Sequence, residues 1–142
     1  MSKNPLYGSN SYDNSAIVQT LSGLSPVVLS ADTTLDLAKH SVQVGKYIEI
    51  SADAKTLTLP AVSVGASYII VCTAKDGQAL LTISPNASDK FLVDIAGAAG
   101  TDNKDIILAK ASQKENDFVH LIGLSGDGYS IHNVSGVWSD EA

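Results

Sequence analysis

The feature that most restricts the fold of this chain is a run of three short strand-like segments at residues 55–84, KTLTLPAVSVGASYIIVCTAKDGQALLTIS. Residues 56–59 alternate polar and apolar, which is the period of a strand with one buried face. Residues 68–73 are almost wholly apolar and β-branched, as expected of a strand covered on both faces. Residues 80–84 follow an Asp-Gly turn at 76–77. Because an isolated strand pair is unstable, we expect this meander to form the centre of a larger antiparallel body.

The rest of the chain shows the same kind of pattern, with roughly nine or ten short strands separated by turn signals every 8–12 residues. Further strand-like segments are predicted at 27–30, 33–37, 47–51, 91–93, 106–109, 118–124 and 129–133. No stretch has sustained helical periodicity, and no repeat period is visible. These features predict an all-β fold, a single antiparallel β-sandwich or jelly-roll-like domain with an extended N-terminal arm.

The end of the chain carries the strongest hairpin signal. Gly126-Asp127-Gly128 separates two strand-like segments and is interpreted as a turn that needs positive φ. A charged turn is predicted just before this hairpin, at residues 113–117. Trp138 is predicted to close the end of the core, with its indole N–H paired to a backbone carbonyl.

The chain divides into an N-terminal arm, residues 1–25, and a body, residues 26–142. The arm contains many Ser and Asn residues, is interrupted by Pro5, Gly8 and Gly23, and has too little apolar area to form its own core. Ordering it costs on the order of 25–50 kcal/mol of backbone entropy. We therefore expect it to lie against a surface, either that of its own body or that of a neighbouring chain. Its apolar side chains are the predicted partner contacts, because such anchors dominate interface energies: Leu6, Tyr7, Tyr12, Ile17, Val18 and Leu21.

Composition excludes several classes of function. The formal net charge is −6 without a Lys/Arg cluster, which argues against nucleic acid as a partner. No apolar run reaches the roughly 18–20 residues that span a bilayer, and no secretory signal is evident. Cys72 is the only cysteine, so no intrachain disulfide can form, and its apolar strand predicts a buried, inert thiol. We expect the protein to be made in a reducing cytoplasm.

No motif predicts catalysis or a cofactor. His120 and His132 lie on opposite arms of the predicted hairpin and could face each other, but structural zinc sites need four ligands, so we predict no metal. His40 is remote in sequence. Residues 102–105, Asp-Asn-Lys-Asp, resemble part of a calcium loop but lack its closing glutamate. No nucleophile elbow or phosphate-binding loop is present, so we predict that the protein is not an enzyme.

Two stretches resemble tailed-bacteriophage proteins that sit on the outside of the head, namely capsid decoration (cement) proteins and related head-fibre modules. Residues 56–91, TLTLPAVSVGASYIIVCTAKDGQALLTISPNASDKF, are similar to the body of those modules. Residues 116–141 resemble their closing segment, in which Gly136-Val137-Trp138 matches a terminal G-x-W. The chain departs from the pattern at Asn116, where glycine is usual, and at Tyr129, where tryptophan is expected.

The resemblance implies a virion structural protein on the capsid exterior that binds the major capsid protein lattice. It implies a homo-oligomer, with a trimer favoured, and the arm serves as a clasp. The alternative is a fibre-tip or receptor-binding adhesion module that recognises the host surface through a face around residues 98–105 and Tyr129. A third hypothesis, a glycan-acting enzyme, would use the loop carboxylates Asp89, Asp94, Asp102 and Asp105.

Overall fold

A computed structural model describes residues 21–142, and the structural statements below concern that part of the chain. Its strands, in chain order, are β1 (Ser25–Leu29), β2 (Thr33–Thr34), β3 (Lys46–Ile50), β4 (Lys55–Thr58), β5 (Ser67–Cys72), β6 (Leu81–Ser84), β7 (Lys90–Phe91), β8 (Ile106–Leu108), β9 (Asp117–Ser125), β10 (Gly128–Ser135) and β11 (Trp138–Asp140). A four-residue helix, α1 (Leu37–His40), and two 3₁₀ turns, Val42–Val44 and Lys110–Ser112, lie between strands.

The strands form two sheets, so the mostly-β class is confirmed. Sheet A has the order β1-β3-β5-β9-β10-β7, and sheet B has the order β11-β8-β6-β4-β2. The sheets are mixed rather than antiparallel: five strand pairs are parallel and four are antiparallel. All pairs among β1 to β6 are parallel, and the pairs that include β8, β9, β10 or β11 are antiparallel except that of β10 with β7.

The predicted central meander is wrong, because β5 is a neighbour of neither β4 nor β6. β4 and β6 pair with each other in parallel in sheet B, whereas β5 lies in sheet A. The links at 59–66 and 73–80 are too long for a tight hairpin, which uses two to five residues. They carry the chain from one sheet to the other instead. From β1 to β6 the chain therefore winds as three stacked coils, each with one strand in each sheet.

The stacked coils give structural meaning to a short sequence repeat that we did not predict. Ser-Ala-Asp occurs at 30–32 and again at 51–53, at the same corner of successive coils. The aspartates of these corners, and Asp76 at the next one, each accept a backbone N–H from the neighbouring layer at 2.8–2.9 Å: Thr56 N–H to Asp32, Leu80 N–H to Asp53 and Glu115 N–H to Asp76. The corner aspartates thus bind successive layers together.

One apolar core lies between the sheets. Ile48, Ile70 and Val119 of sheet A and Leu57 and Ile83 of sheet B are fully buried in it. Along β4 and β6, residues that point into this core alternate with half-exposed residues on the outer face of sheet B.

Strand β5 is buried on both faces, as predicted. On the outer face of sheet A, its Ile69 and Val71 pack with Phe118 of β9, and apolar side chains cover this cluster: Leu21, Leu24, Val42 and Tyr47. Cys72 on the inner face is buried as predicted, and burial raises the pKa of its thiol.

The β9–β10 hairpin is present, but the predicted reason for its glycines is wrong. Gly126 and Gly128 do not have positive φ. Gly128 instead pairs with Lys90 of β7, and a Cβ at position 128 would collide with the carbonyl group of Lys90. Close approach of two strands, rather than turn geometry, requires glycine at position 128.

Of the strand predicted at 33–37 only Thr33–Thr34 forms β2, and its last residue, Leu37, begins helix α1. Asp36 caps it by accepting the Ala38 N–H at 2.7 Å, and the Asp36 N–H donates to Nδ1 of His40 at 2.9 Å. These two local hydrogen bonds stabilise a helical turn and outweigh the alternation of apolar residues that predicted a strand. Burial, the largest influence, lowers the pKa of His40.

We therefore expect stability to fall on mild acidification. Because the pKa of His40 is lowered in the folded state, the contribution of neutral His40 to the free energy of unfolding is complete above about pH 6.5. This contribution is lost as the pH falls below that value. His40→Asn retains an acceptor for the Asp36 N–H without titrating. The free energy of unfolding, measured with urea between pH 7.5 and pH 5, should therefore change less with pH in this variant than in the unaltered protein. An equal change in the two proteins would show that His40 is not the source of the pH dependence.

Candidate functional site

An apolar groove lies at the end of the body where β10 and β11 meet. Its volume is about 510 Å³. We call it the apolar groove; it is lined by Val93, Asp94, Ile95, Ser130, Ile131, Val134, Gly136, Val137 and Trp138. Val93, Val134 and Val137 are 56%, 40% and 64% exposed. Three exposed valines around one concavity form a contiguous apolar patch rather than scattered surface residues.

The wall of the apolar groove formed by residues 93–95 is held by two carboxylates. Asp94 closes a turn, because its Oδ1 accepts the Ala98 N–H at 2.8 Å. Asp140 of β11 accepts the Ile95 and Ala96 N–H groups at 2.8 and 3.0 Å. Backbone hydrogen bonds to charged acceptors are among the stronger ones. The wall is therefore fixed to β11 before any partner arrives.

Trp138 forms the floor of the groove and has the role predicted for it. It is buried in the main core, and its indole N–H donates to the Ser135 carbonyl at 3.0 Å. Gly136, with φ of 105°, makes the bend between β10 and β11. Val137 follows this bend and is therefore exposed beside the buried indole. The sequence signal for the groove was the G-x-W segment, whose middle residue was not singled out.

The chemistry of this groove suits binding of apolar side chains. Its volume lies within the range of about 300–1,000 Å³ typical of ligand pockets. Its polar lining includes Asp94 and Ser130, and Asp94 is already engaged in its own turn. A partner that inserts aliphatic or aromatic side chains would remove the three valines from water.

A second, smaller cavity of about 220 Å³ lies on the other side of Asp94 and Asp140. Its acidic lining is used structurally: Glu141 accepts the Asp105 N–H at 3.0 Å, and Lys104 lies 3.9 Å from Glu141. Within residues 21–142 no group of three or more His, Cys, Asp or Glu side chains is placed to hold a metal ion. The calcium-loop resemblance at 102–105 therefore gains no support from the geometry.

Five of the six predicted contacts of the arm, Leu6, Tyr7, Tyr12, Ile17 and Val18, lie outside the described residues. Leu21 is described, and it packs with Leu24 on the outer face of sheet A. It covers the cluster of Ile69, Val71 and Phe118, so the end of the arm contacts its own body.

The prediction of an exposed Tyr129 is wrong. Tyr129 is fully buried, its hydroxyl donates to the Pro60 carbonyl at 2.8 Å, and its ring meets that of Tyr68 edge to face. Burial raises the pKa of its hydroxyl. Asp89, one of the carboxylates of the enzyme hypothesis, is likewise buried and accepts the Val62 N–H at 2.8 Å. Both side chains serve the fold.

The predicted meeting of His120 and His132 is confirmed. Their ring centroids lie 5.2 Å apart with an interplanar angle of 81°. His40 lies on α1 with its Nδ1 already engaged.

Among the described residues, no helix combines the length and apolar character needed to cross a membrane. A scan of the sequence against models of known protein families finds no match. A search of curated proteins finds no significantly similar sequence.

Proposed function

We propose that this protein is a virion structural protein that binds the outer surface of a bacteriophage capsid and stabilises its lattice, as a decoration or cement protein does. The observation that carries the proposal is the apolar groove, whose fixed wall and exposed valines are suited to binding another protein. The resemblance of residues 56–91 and 116–141 to head-surface modules supplies the class of partner. In this proposal the two packed sheets form a β-sandwich body, and three copies of the chain assemble as a homotrimer.

The proposed mechanism is thermodynamic and needs no chemical step. A protein that binds the assembled lattice but not its free subunits stabilises the lattice by mass action. Fully burying a valine side chain contributes about 1.5–3 kcal/mol. Three half-exposed valines therefore supply only a few kcal/mol per subunit, before the entropy lost on docking. Symmetric oligomerisation and the arm would add further contacts and raise the apparent affinity.

The arm is the second proposed contact. Leu21 fixes where it leaves the body, over the outer face of sheet A. Leu6, Tyr7, Tyr12, Ile17 and Val18 precede that point and remain the proposed anchors on the lattice or on a sister subunit. The arm and the apolar groove would then clasp the shell at two separate places.

We expect Val137→Asp to weaken binding to purified empty heads at least about tenfold, because it places a charge in the apolar groove. Co-sedimentation with heads measures the effect. Val64→Asp is the matched control, because Val64 is 69% exposed and does not line the groove. This control should bind heads as the unaltered protein does. If folded Val137→Asp protein also binds as the unaltered protein does, the groove plays no part in binding.

The same assay separates the alternatives. A protein that binds whole host cells but not heads would be an adhesion module, and the proposal would be wrong. A chain lacking residues 1–20 should stay folded, because Leu21 and Leu24 are retained, yet attach poorly to heads. Full attachment of that shortened chain would remove the arm from the proposal.

A further inference from the structure

We propose that His120 and His132 form a binding site for a borderline divalent transition-metal ion such as Zn²⁺ on the outer face of sheet A. The site is separate from the apolar groove and does not depend on the proposed function. Three structural observations support it: an irregularity in strand pairing, the spacing of the two rings, and a buried nitrogen without a partner.

The first observation is a β-bulge at His132. Ile131 of β10 lies opposite Leu121 of β9, but the next pair is Asn133 with His120. His132 is therefore an extra residue, and it is released from the regular ladder. Bulges redirect side chains and are enriched next to functional sites. Here the bulge leaves an exposed imidazole beside His120.

The second observation is the distance between the rings. Zinc binds imidazole nitrogen at about 2.0–2.1 Å with tetrahedral angles, which sets the centres of two coordinating rings about 5 Å apart. The observed separation of the ring centroids is 5.2 Å. The separation of the rings therefore matches that of two ligands of one ion, which would bind after rotation of the side chains from their edge-to-face arrangement.

The third observation is Nε2 of His120, which is buried and has no hydrogen-bond partner among the described residues. Buried polar atoms are almost always paired, and an ion or ordered water is the usual explanation for an exception. Desolvation, followed by the proximity of His132, lowers the pKa of His120.

The site provides two protein ligands and leaves the other positions to water, since the described residues place no third His, Cys, Asp or Glu there. Two imidazoles favour Zn²⁺ or Cu²⁺ over Mg²⁺ or Ca²⁺, which prefer oxygen ligands. An open site of this kind binds more weakly than a closed four-ligand structural site. The competing explanation is that the two rings are only an edge-to-face packing pair.

Titration calorimetry of the full chain with Zn²⁺ at pH 7.5 tests the proposal. We expect one saturable site per chain, and at least about tenfold weaker binding in either His120→Phe or His132→Phe. Phenylalanine keeps an aromatic ring at each position but removes the nitrogen. His40→Asn is the control and should bind as the unaltered chain does. Bound Cu²⁺ should show electron paramagnetic resonance couplings to two nitrogens.

Absence of saturable Zn²⁺ binding would overturn the proposal, as would binding in both phenylalanine variants that is as tight as in the unaltered chain. If His120→Phe does not fold, His132→Phe decides alone, because the ring of His132 is exposed and its replacement does not disturb the core. Coupling of Cu²⁺ to a single nitrogen would also contradict a two-histidine site.

Discussion

Gln113→Leu should lower the free energy of unfolding by about 2–6 kcal/mol. Gln113 is 1% exposed, and its side chain makes three backbone hydrogen bonds. Oε1 accepts the Gln78 and Ala79 N–H groups at 3.0 and 3.2 Å, and Nε2 donates to the Ala74 carbonyl at 2.9 Å. Leucine has a similar volume but leaves the Ala79 N–H and the Ala74 carbonyl without partners, at about 1–3 kcal/mol for each, whereas the Gln78 N–H keeps its bond to the Lys75 carbonyl at 3.1 Å. Urea unfolding measures the loss.

Gln43→Leu is the matched control for this prediction. Gln43 also bonds two backbone groups, the Gly65 carbonyl and the Ser67 N–H, but it is exposed. Water can replace its side chain there, so the expected loss is under about 1 kcal/mol. Similar losses in the two variants would show that burial does not set the energy of these bonds.

Gly128→Ala should destabilise the fold by about 1–3 kcal/mol, the range typical of overpacking. The added Cβ would collide with the backbone of Lys90, whose carbonyl carbon and nitrogen would lie only 2.9 and 3.0 Å away. Because the obstacle is backbone, strand β7 must move away from β10, and their parallel pairing is weakened. Thermal unfolding followed by circular dichroism measures the effect.

Gly126→Ala provides the control two residues away on the same hairpin. Nothing lies within 4 Å of a Cβ at position 126, and its φ is not positive. Alanine there should be neutral or slightly stabilising, because it restricts the unfolded chain. If both variants lost equal stability, turn geometry rather than contact with β7 would be the reason for the two glycines.

Local patterns predicted the parts of the fold that neighbouring residues control. The apolar run of β5 requires a strand buried on both faces, whatever its neighbours are. The β9–β10 hairpin is local because its arms are separated by only two residues. Trp138 was predicted correctly because a large aromatic side chain with one donor near the chain end has few other favourable places.

The arrangement of the strands could not be predicted in the same way. The period of two in β4 and β6 shows that one face is buried, but it does not distinguish a parallel neighbour from an antiparallel one. The corner aspartates show the same limit. The local pattern does not distinguish Asp32 and Asp53 from ordinary polar turn residues. Only the N–H groups that they accept from the next coil show that they join successive coils.

The candidate site was even less accessible to sequence reasoning. The adhesion hypothesis placed Tyr129 at the surface, but Tyr129 is buried, whereas Val137, which was not singled out, is exposed in the apolar groove. Exposure depends on which side of a bend a residue falls, and Gly136 sets that bend through its positive φ.

The amino-acid sequence by itself determined that this chain is built of short strands, where most of them lie, and which residues could form a core. Those properties follow from side-chain period and turn chemistry, which act over a few residues. Tertiary structure alone decided which strands are neighbours, which glutamine is buried, and which valines remain exposed. Those outcomes depend on contacts between residues distant in the chain, and a local pattern carries no information about which distant segment supplies the contact.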